Sequence, residues 1–173
     1  MRFEIKDKET SDVIYATEAE TLKEAVESAA REKEDLSRAD LKEARLAGAK
    51  LEGAILTSAD LRRAELTGAN LQEADLRGAD LTEAACGKAN FRGADLTGAN
   101  LSKAYLAEAN FKGADLTKAN FTGANLSYAD FKEANLTKTN LKEAQLKGAN
   151  FKNANLMGVK IDKANMKGAK GII

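Results

Sequence analysis

The chain has 173 residues, and its 27 Lys and Arg residues balance 27 Asp and Glu residues, so the formal net charge is zero. His is absent, which removes the commonest general base and metal ligand, and the single Cys excludes an internal disulfide. Because no apolar run reaches the ~18 residues of a membrane span and the N-terminus lacks the apolar region of a signal peptide, we predict a cytoplasmic protein that does not engage membranes.

The first segment has the pattern of a β-hairpin. Residues 2–6 alternate polar and apolar side chains, residues 8–12 are polar and turn-forming, and residues 13–15 are β-branched or aromatic. We therefore predict a hairpin over residues 2–16.

A helix is predicted to follow the hairpin. Thr21 and Glu24 have the spacing of a capping box, and the next apolar residues share one helical face. The predicted helix runs over about 22–33. Residues 1–34 then form a unit of their own, whose predicted task is to cap the structure that follows; the alternative is a partner-binding module.

From residue 35 to 173 the sequence repeats with a period of five. Starting at Leu36, nearly every fifth residue is Leu or Phe, Ala lies two residues earlier, and Asp or Asn usually lies between them. This motif, A-(D/N)-(L/F)-x-x, recurs about 27 times without insertion. So short a unit cannot enclose a core alone, and it must stack into a solenoid.

A period of five fits neither a helix nor a continuous strand. Residues two apart share a face in extended chain, so each Ala points inward with the Leu or Phe that follows it. Gly at the second x, as in Gly98 and Gly148, suits a turn residue with positive φ. Each unit is therefore predicted to form one side of a coil.

Stretches such as Ala94-Asp95-Leu96-Thr97-Gly98 and Ala99-Asn100-Leu101 resemble the pentapeptide-repeat proteins. The resemblance covers roughly residues 35–171. It implies an all-β fold, a right-handed quadrilateral parallel β-helix (a solenoid) with four units per coil and about seven coils.

Four units per coil sort the repeats into four walls, each continuing every 20 residues. Wall 1 begins at Leu36, wall 2 at Leu41, wall 3 at Leu46 and wall 4 at Leu51. Four Phe residues fall in consecutive coils of wall 4: Phe91, Phe111, Phe131 and Phe151. This clustering supports the 20-residue coil independently and predicts a stacked aromatic ladder in the core.

The residues do not suggest an enzyme. No P-loop, nucleophile elbow or dinucleotide fingerprint is present, and we predict neither cofactor nor metal. Cys86 takes an inward position, which favours a buried structural thiol over a nucleophile. Asp75, Asp95 and Asp115 stack on wall 1, where mutual repulsion could raise a pKa; bonds to local backbone are the simpler interpretation.

One column of cations is the candidate binding site. It consists of the four residues that directly follow the stacked Phe residues: Arg92, Lys112, Lys132 and Lys152. We refer to these four residues as the cation column. It could meet an acidic partner or phosphates, although Glu133 weakens its field. The alternative is a solvated face that keeps the rod soluble and discourages lateral strand pairing.

The favoured function is a non-enzymatic interaction or scaffold rod whose partner is another protein. The resemblance also implies an alternative, because some pentapeptide-repeat proteins modulate DNA gyrase by imitating duplex DNA with a strongly acidic rod. The repeat region here has 21 basic and 17 acidic residues, net +4, and no inserted loop, which disfavours that role. Direct DNA binding is not expected either, because the cation column lacks exposed aromatic side chains.

The C-terminal end has no predicted covering helix, since Lys170 runs directly into Gly171-Ile172-Ile173. Either the two Ile residues fold over the last coil, or a second copy packs there. An end-to-end homodimer through the C-terminal coil is therefore a hypothesis.

Overall fold

The computed structural model describes residues 1–171 and consists of a hairpin, one helix and a long stack of short coils. Strand β1 (Arg2–Lys6) pairs antiparallel with β2 (Val13–Glu18), and helix α1 (Leu22–Glu32) follows. From Asp35 to Lys170, parallel bridges join each bridging position to the one 20 residues later. This register places four five-residue units in each coil.

Each unit is held by a turn and by hydrogen bonds to its neighbouring coils. In one example, the N–H of Ala99 closes the turn on the Leu96 carbonyl at 3.0 Å. Between coils, the Leu101 N–H donates to the Asn120 carbonyl at 2.7 Å, and the Asn120 N–H donates to the Ala99 carbonyl at 2.9 Å. The second turn residue has positive φ throughout the repeats, at Gly as predicted and also at charged residues such as Lys118.

The inward Ala and Leu or Phe residues form one continuous core, buried from Leu36 to Phe151. The predicted aromatic ladder on wall 4 is confirmed. Ring centroids from Phe91 to Phe111, Phe131 and Phe151 are 4.9, 5.1 and 4.8 Å apart, with nearly parallel planes. Phe121 on wall 2 meets Phe111 edge-on at 5.7 Å, which is the other favourable geometry for aromatic pairs.

Helix α1 begins at the predicted position and packs on the first coil. The Thr21 hydroxyl accepts the Glu24 N–H, and Lys33 ends the helix with φ of 60°. Val26, Ala29 and Ala30 are buried in the same cluster as the Leu and Phe residues of the coils.

The N-terminal segment also occupies backbone groups that the first coil would otherwise leave unpaired. The Asp40 N–H donates to the Lys6 carbonyl at 2.8 Å, which continues β1 along the edge of wall 2. On wall 4, the Lys50 N–H donates to the Glu27 carboxylate at 2.8 Å. On wall 3, Lys23 Nζ donates to the Ala47 carbonyl at 2.9 Å. These bonds pair three backbone groups on the open edge of the first coil.

The last coil is more open. Leu156 and Met166 are only half-buried, and Ile161 is 44% exposed. Within residues 1–171, the backbone N–H groups of these three residues have no backbone acceptor. Whether Ile172 and Ile173 fold over this end, the first of the two alternatives, lies outside the described residues.

Candidate interaction surfaces

The cation column has its backbone anchored by side chains of wall 4. The N–H groups of Arg92, Lys112, Lys132 and Lys152 donate to Asn90, Asn110, Asp130 and Asn150 at 3.0–3.2 Å. Successive members are one coil apart, an inter-strand rise of about 4.8 Å. The four side chains therefore leave the wall from fixed, evenly spaced points.

An amide ladder runs beside the column and stiffens it further. Asn90 Nδ2 donates to Asn70 Oδ1 at 3.0 Å, and Asn110 Nδ2 donates to Asn90 Oδ1 at 3.1 Å. Each Asn thereby binds the turn of its own unit and the Asn of the preceding coil. Asp130 interrupts the ladder because a carboxylate has no N–H to donate.

Acidic side chains on the same wall partly neutralise the column. Lys112 Nζ lies 3.6 Å from Glu133, and Lys132 Nζ lies 3.4 Å from Asp130. Arg92 and Lys152 have no carboxylate within 4.0 Å in the part of the chain that the structure describes. The column thus carries two paired and two unpaired cations.

Two outward carboxylates, Asp75 on wall 1 and Asp60 on wall 2, have a lowered rather than a raised pKa. Hydrogen bonds from the Arg62 side chain hold the pKa of Asp60 below its usual value, and Arg77 does the same for Asp75. Both arginines fold back on the carboxylate two residues earlier, with contacts of 2.5–2.8 Å. Asp95 instead accepts the Thr97 N–H at 2.9 Å, the predicted local bond.

The single thiol of the chain lies in the core. Cys86 is fully buried, and this burial raises the pKa of its thiol to about 12, so the nucleophilic thiolate is not populated near neutral pH. Among residues 1–171, no group of three or more His, Cys, Asp or Glu side chains could hold a metal ion. No helix in the same residues is long and apolar enough to cross a membrane.

A second surface, on wall 3, was not predicted from the sequence. Tyr105 and Tyr128 lie in consecutive coils and are 53% and 56% exposed. A groove of about 340 Å³ beside Tyr128 is lined by Lys147, Lys167, Lys170 and two glycines. The sequence carries the signal for this surface, because the 20-residue register assigns both tyrosines to wall 3.

The repeats match the family described as Pentapeptide repeats, with eight copies in overlapping segments from residue 35 to residue 170. The match covers well over half of the chain, and the chain therefore belongs to the pentapeptide-repeat family. Members of this family fold as right-handed quadrilateral β-helices, in agreement with the four units per coil seen here. A search of curated proteins gave no match.

Several solved structures are similar to this chain. HetL, a pentapeptide repeat protein involved in heterocyst differentiation regulation in the cyanobacterium Nostoc sp. strain PCC 7120, is 33% identical over 82% of this chain and 85% of its own, with a TM-score of 0.38. A pentapeptide repeat protein of the Arabidopsis thaliana thylakoid lumen is 31% identical over 46% of this chain and 59% of its own, with a TM-score of 0.31. QnrB1, a plasmid-mediated fluoroquinolone resistance protein, is 19% identical over 76% of this chain and 88% of its own, with a TM-score of 0.45.

Proposed function

We propose that the protein is a non-enzymatic interaction rod that presents the cation column of wall 4 to an acidic surface of another protein. The observation that carries this proposal is the regular anchoring of the four backbone N–H groups by Asn and Asp side chains. The fold fixes the spacing of these charges before a partner binds. Binding therefore costs little additional backbone conformational entropy.

The internal ion pairs of the column do not oppose binding. Lys112 and Lys132 are each 40% exposed, and exposed pairs of this kind contribute about 0–1 kcal/mol. An acidic partner can therefore displace Glu133 and Asp130 at small cost. Arg92 and Lys152 supply two further cations at the ends of the column.

A triple substitution on wall 4 tests the proposal. Lys112, Lys132 and Lys152 are changed to Glu, and binding partners of the tagged protein are quantified by mass spectrometry. The matched control changes Lys118, Lys138 and Lys163 to Glu, which alters the net charge equally but on walls 1 and 2. We expect a partner that the control retains and the wall 4 variant loses; a partner retained by both variants, or lost equally from both, would contradict the proposal.

The gyrase alternative has less support. Arg62 and Arg77 pair with carboxylates of the acidic columns, so walls 1 and 2 present less negative charge than imitation of duplex DNA requires. A supercoiling assay with purified gyrase is the direct test. Inhibition or protection by micromolar protein would favour this role over the scaffold role, and no effect would remove it.

The two ends of the rod have different proposed roles. Residues 1–34 act as a cap, which is supported by their bonds to the first coil. The open C-terminal coil pairs end to end with a second copy, which is supported by the exposure of Ile161 and by backbone N–H groups there that have no backbone acceptor within residues 1–171. Such a dimer would present two copies of the cation column to a partner.

A further inference from the structure

We propose that wall 3, with the adjoining edge of wall 4, binds single-stranded nucleic acid near the C-terminal end of the rod, through Tyr128, Lys147 and Lys167 on wall 3 and Lys170 on wall 4. None of these four residues belongs to the cation column, although Lys170 lies on wall 4 one coil beyond Asn150. Nucleic-acid binding at this surface does not depend on the protein-binding role proposed for the cation column.

The two tyrosines provide platforms on which bases can stack. Tyr105 and Tyr128 are the exposed aromatic side chains of residues 1–171. Each ring rests on a glycine of an adjacent coil: a Cβ added to Gly148 would lie 2.6 Å from the Tyr128 ring, and one added to Gly87 would lie 2.8 Å from the Tyr105 ring. The glycines make room for rings that rest against the wall and keep half of their surface open. Stacking on such a ring tolerates any base, since every base has a π-face.

The lysines beside Tyr128 are available to phosphates. Lys147 Nζ lies 5.8 Å from the centre of the Tyr128 ring, and Lys167 and Lys170 line the same groove. The groove includes no carboxylate. Within residues 1–171, none of these three lysines lies within 4.0 Å of a carboxylate oxygen, in contrast to Lys112 and Lys132. Phosphates thus meet cations that no carboxylate of residues 1–171 neutralises.

The geometry favours a single strand over a peptide or a duplex. The Tyr128 N–H donates to the Lys147 carbonyl at 2.7 Å, and the Gly148 N–H donates to the Lys167 carbonyl at 3.0 Å. Because these groups are already used between coils, a peptide cannot add to this wall as an extra strand. A duplex hides the faces of its bases in the stack, whereas a single strand offers bases to the rings and phosphates to the lysines together.

Fluorescence anisotropy with a labelled oligo(dT) of about 12 nucleotides tests the proposal on the full chain at low salt. We expect Tyr128→Ala to weaken binding about tenfold, as loss of one stacked base does, and Tyr128→Phe to retain binding. The double variant Lys147→Glu, Lys167→Glu should abolish it. Three phosphate contacts predict a slope of log K against log salt of about −2, since each contributes about −0.7 on single strands. A parallel titration with oligo(U) measures the preference between DNA and RNA.

The matched control is Lys112→Glu, Lys132→Glu on wall 4, which changes the net charge by the same amount. Retention of binding by this control supports a site on wall 3. The proposal is overturned if oligo(dT) does not bind wild-type protein, if both double variants lose binding equally, or if Tyr128→Ala binds like wild type. Equal competition by polyglutamate would also overturn it and would assign the surface to an acidic protein.

Discussion

The second turn residue of each unit has positive φ whichever side chain it carries. On wall 1, Gly98 has φ of +68°, and Lys118, one coil later, has φ of +60°. A residue with a Cβ pays about 1–2 kcal/mol for this left-handed conformation. The repeat therefore imposes the turn through its inter-coil hydrogen bonds and buried Leu or Phe side chains, and Gly only lowers the strain.

Gly98→Ala is expected to destabilise the fold by about 1 kcal/mol through this strain alone. No atom outside the adjacent residues lies within 4 Å of the position that the new Cβ would take, so a steric clash does not contribute. Urea unfolding measures the change. Lys118→Ala is the matched control, because that position already carries a Cβ at positive φ; an equal loss in both variants would exclude strain as the cause.

Cys86 is expected to react with thiol reagents only when the protein unfolds. Burial raises its pKa from 9.0 to about 12, so the contribution of the neutral thiol to stability is present below pH 9 and is lost as the pH rises through 12. At pH 8, the labelling rate should follow the rate of unfolding and increase with urea. Rapid stoichiometric labelling of folded protein would contradict this assignment.

On wall 4, amide side chains of the outer surface form a ladder from Asn70 through Asn90 to Asn110. Asn90 is its clearest member, since it receives the N–H of Arg92 and of Asn110 and donates to Asn70. Such a ladder adds side-chain bonds between coils to those of the backbone. Removing a bond of this ladder should therefore lower the free energy of unfolding of the whole protein.

Asn90→Asp is expected to cost about 1 kcal/mol at neutral pH, the usual value of one hydrogen bond. The substitution keeps the acceptor for Arg92 and Asn110 but removes the donor to Asn70. Asn125→Asp is the control, because within residues 1–171 the Asn125 side chain makes only its local bond to the Ser127 N–H. Urea unfolding at pH 7 should separate the two variants, and equal destabilisation would assign the effect to the added charge.

The sequence predicted the packing of the inward-facing side chains well and the contacts of the outward-facing side chains poorly. Ala and Leu or Phe repeat with a fixed period, so the register alone places Phe91 on Phe111. Outward side chains have no such constraint: Arg62 folds back on Asp60, whereas Arg92 at the equivalent position of wall 4 has no such partner within residues 1–171. A local sequence pattern also cannot predict contacts between residues far apart in the chain, such as the salt bridge between Asp7 and Arg38.

A salt bridge between Asp7 and Arg38 attaches the hairpin to the first coil. This contact should make the stability of the protein sensitive to acid. The buried carboxylate of Asp7 accepts the Glu9 and Thr10 N–H groups and lies 2.6 Å from Arg38. These backbone bonds, with the nearby arginine, hold the pKa of Asp7 below its ordinary value of 3.8. A depressed pKa means that the stabilisation is present above that value and is lost as the pH falls through the folded pKa.

Asp7→Asn is expected to lower stability at pH 7 and to flatten its decline below pH 4. The amide oxygen still accepts the N–H of Glu9, so the substitution isolates the charge. Urea unfolding at pH 7 and pH 3 measures the difference. A variant that loses as much stability on acidification as the wild type would place the acid sensitivity elsewhere.

At the scale of the whole molecule, charge is distributed unevenly between the two ends. Residues 1–34 carry six basic and ten acidic residues, net −4. Residues 152–171, the last coil, carry five lysines and one Asp, net +4. A symmetric end-to-end dimer brings two such positive ends together, so apolar contact and strand pairing must overcome their repulsion.

The proposed dimer should therefore become tighter as salt increases, because screening weakens repulsion between exposed charges over about 10 Å at 0.1 M. Sedimentation equilibrium from low to moderate salt measures the association constant. Ile161→Glu should abolish the dimer by placing a charge on the end of the core, where Ile161 is 44% exposed. Met157→Glu in the same coil is the control, since Met157 lies on the outer side of wall 1 and is 65% exposed. Monomer at every salt concentration, or equal loss in both variants, would exclude pairing through this end.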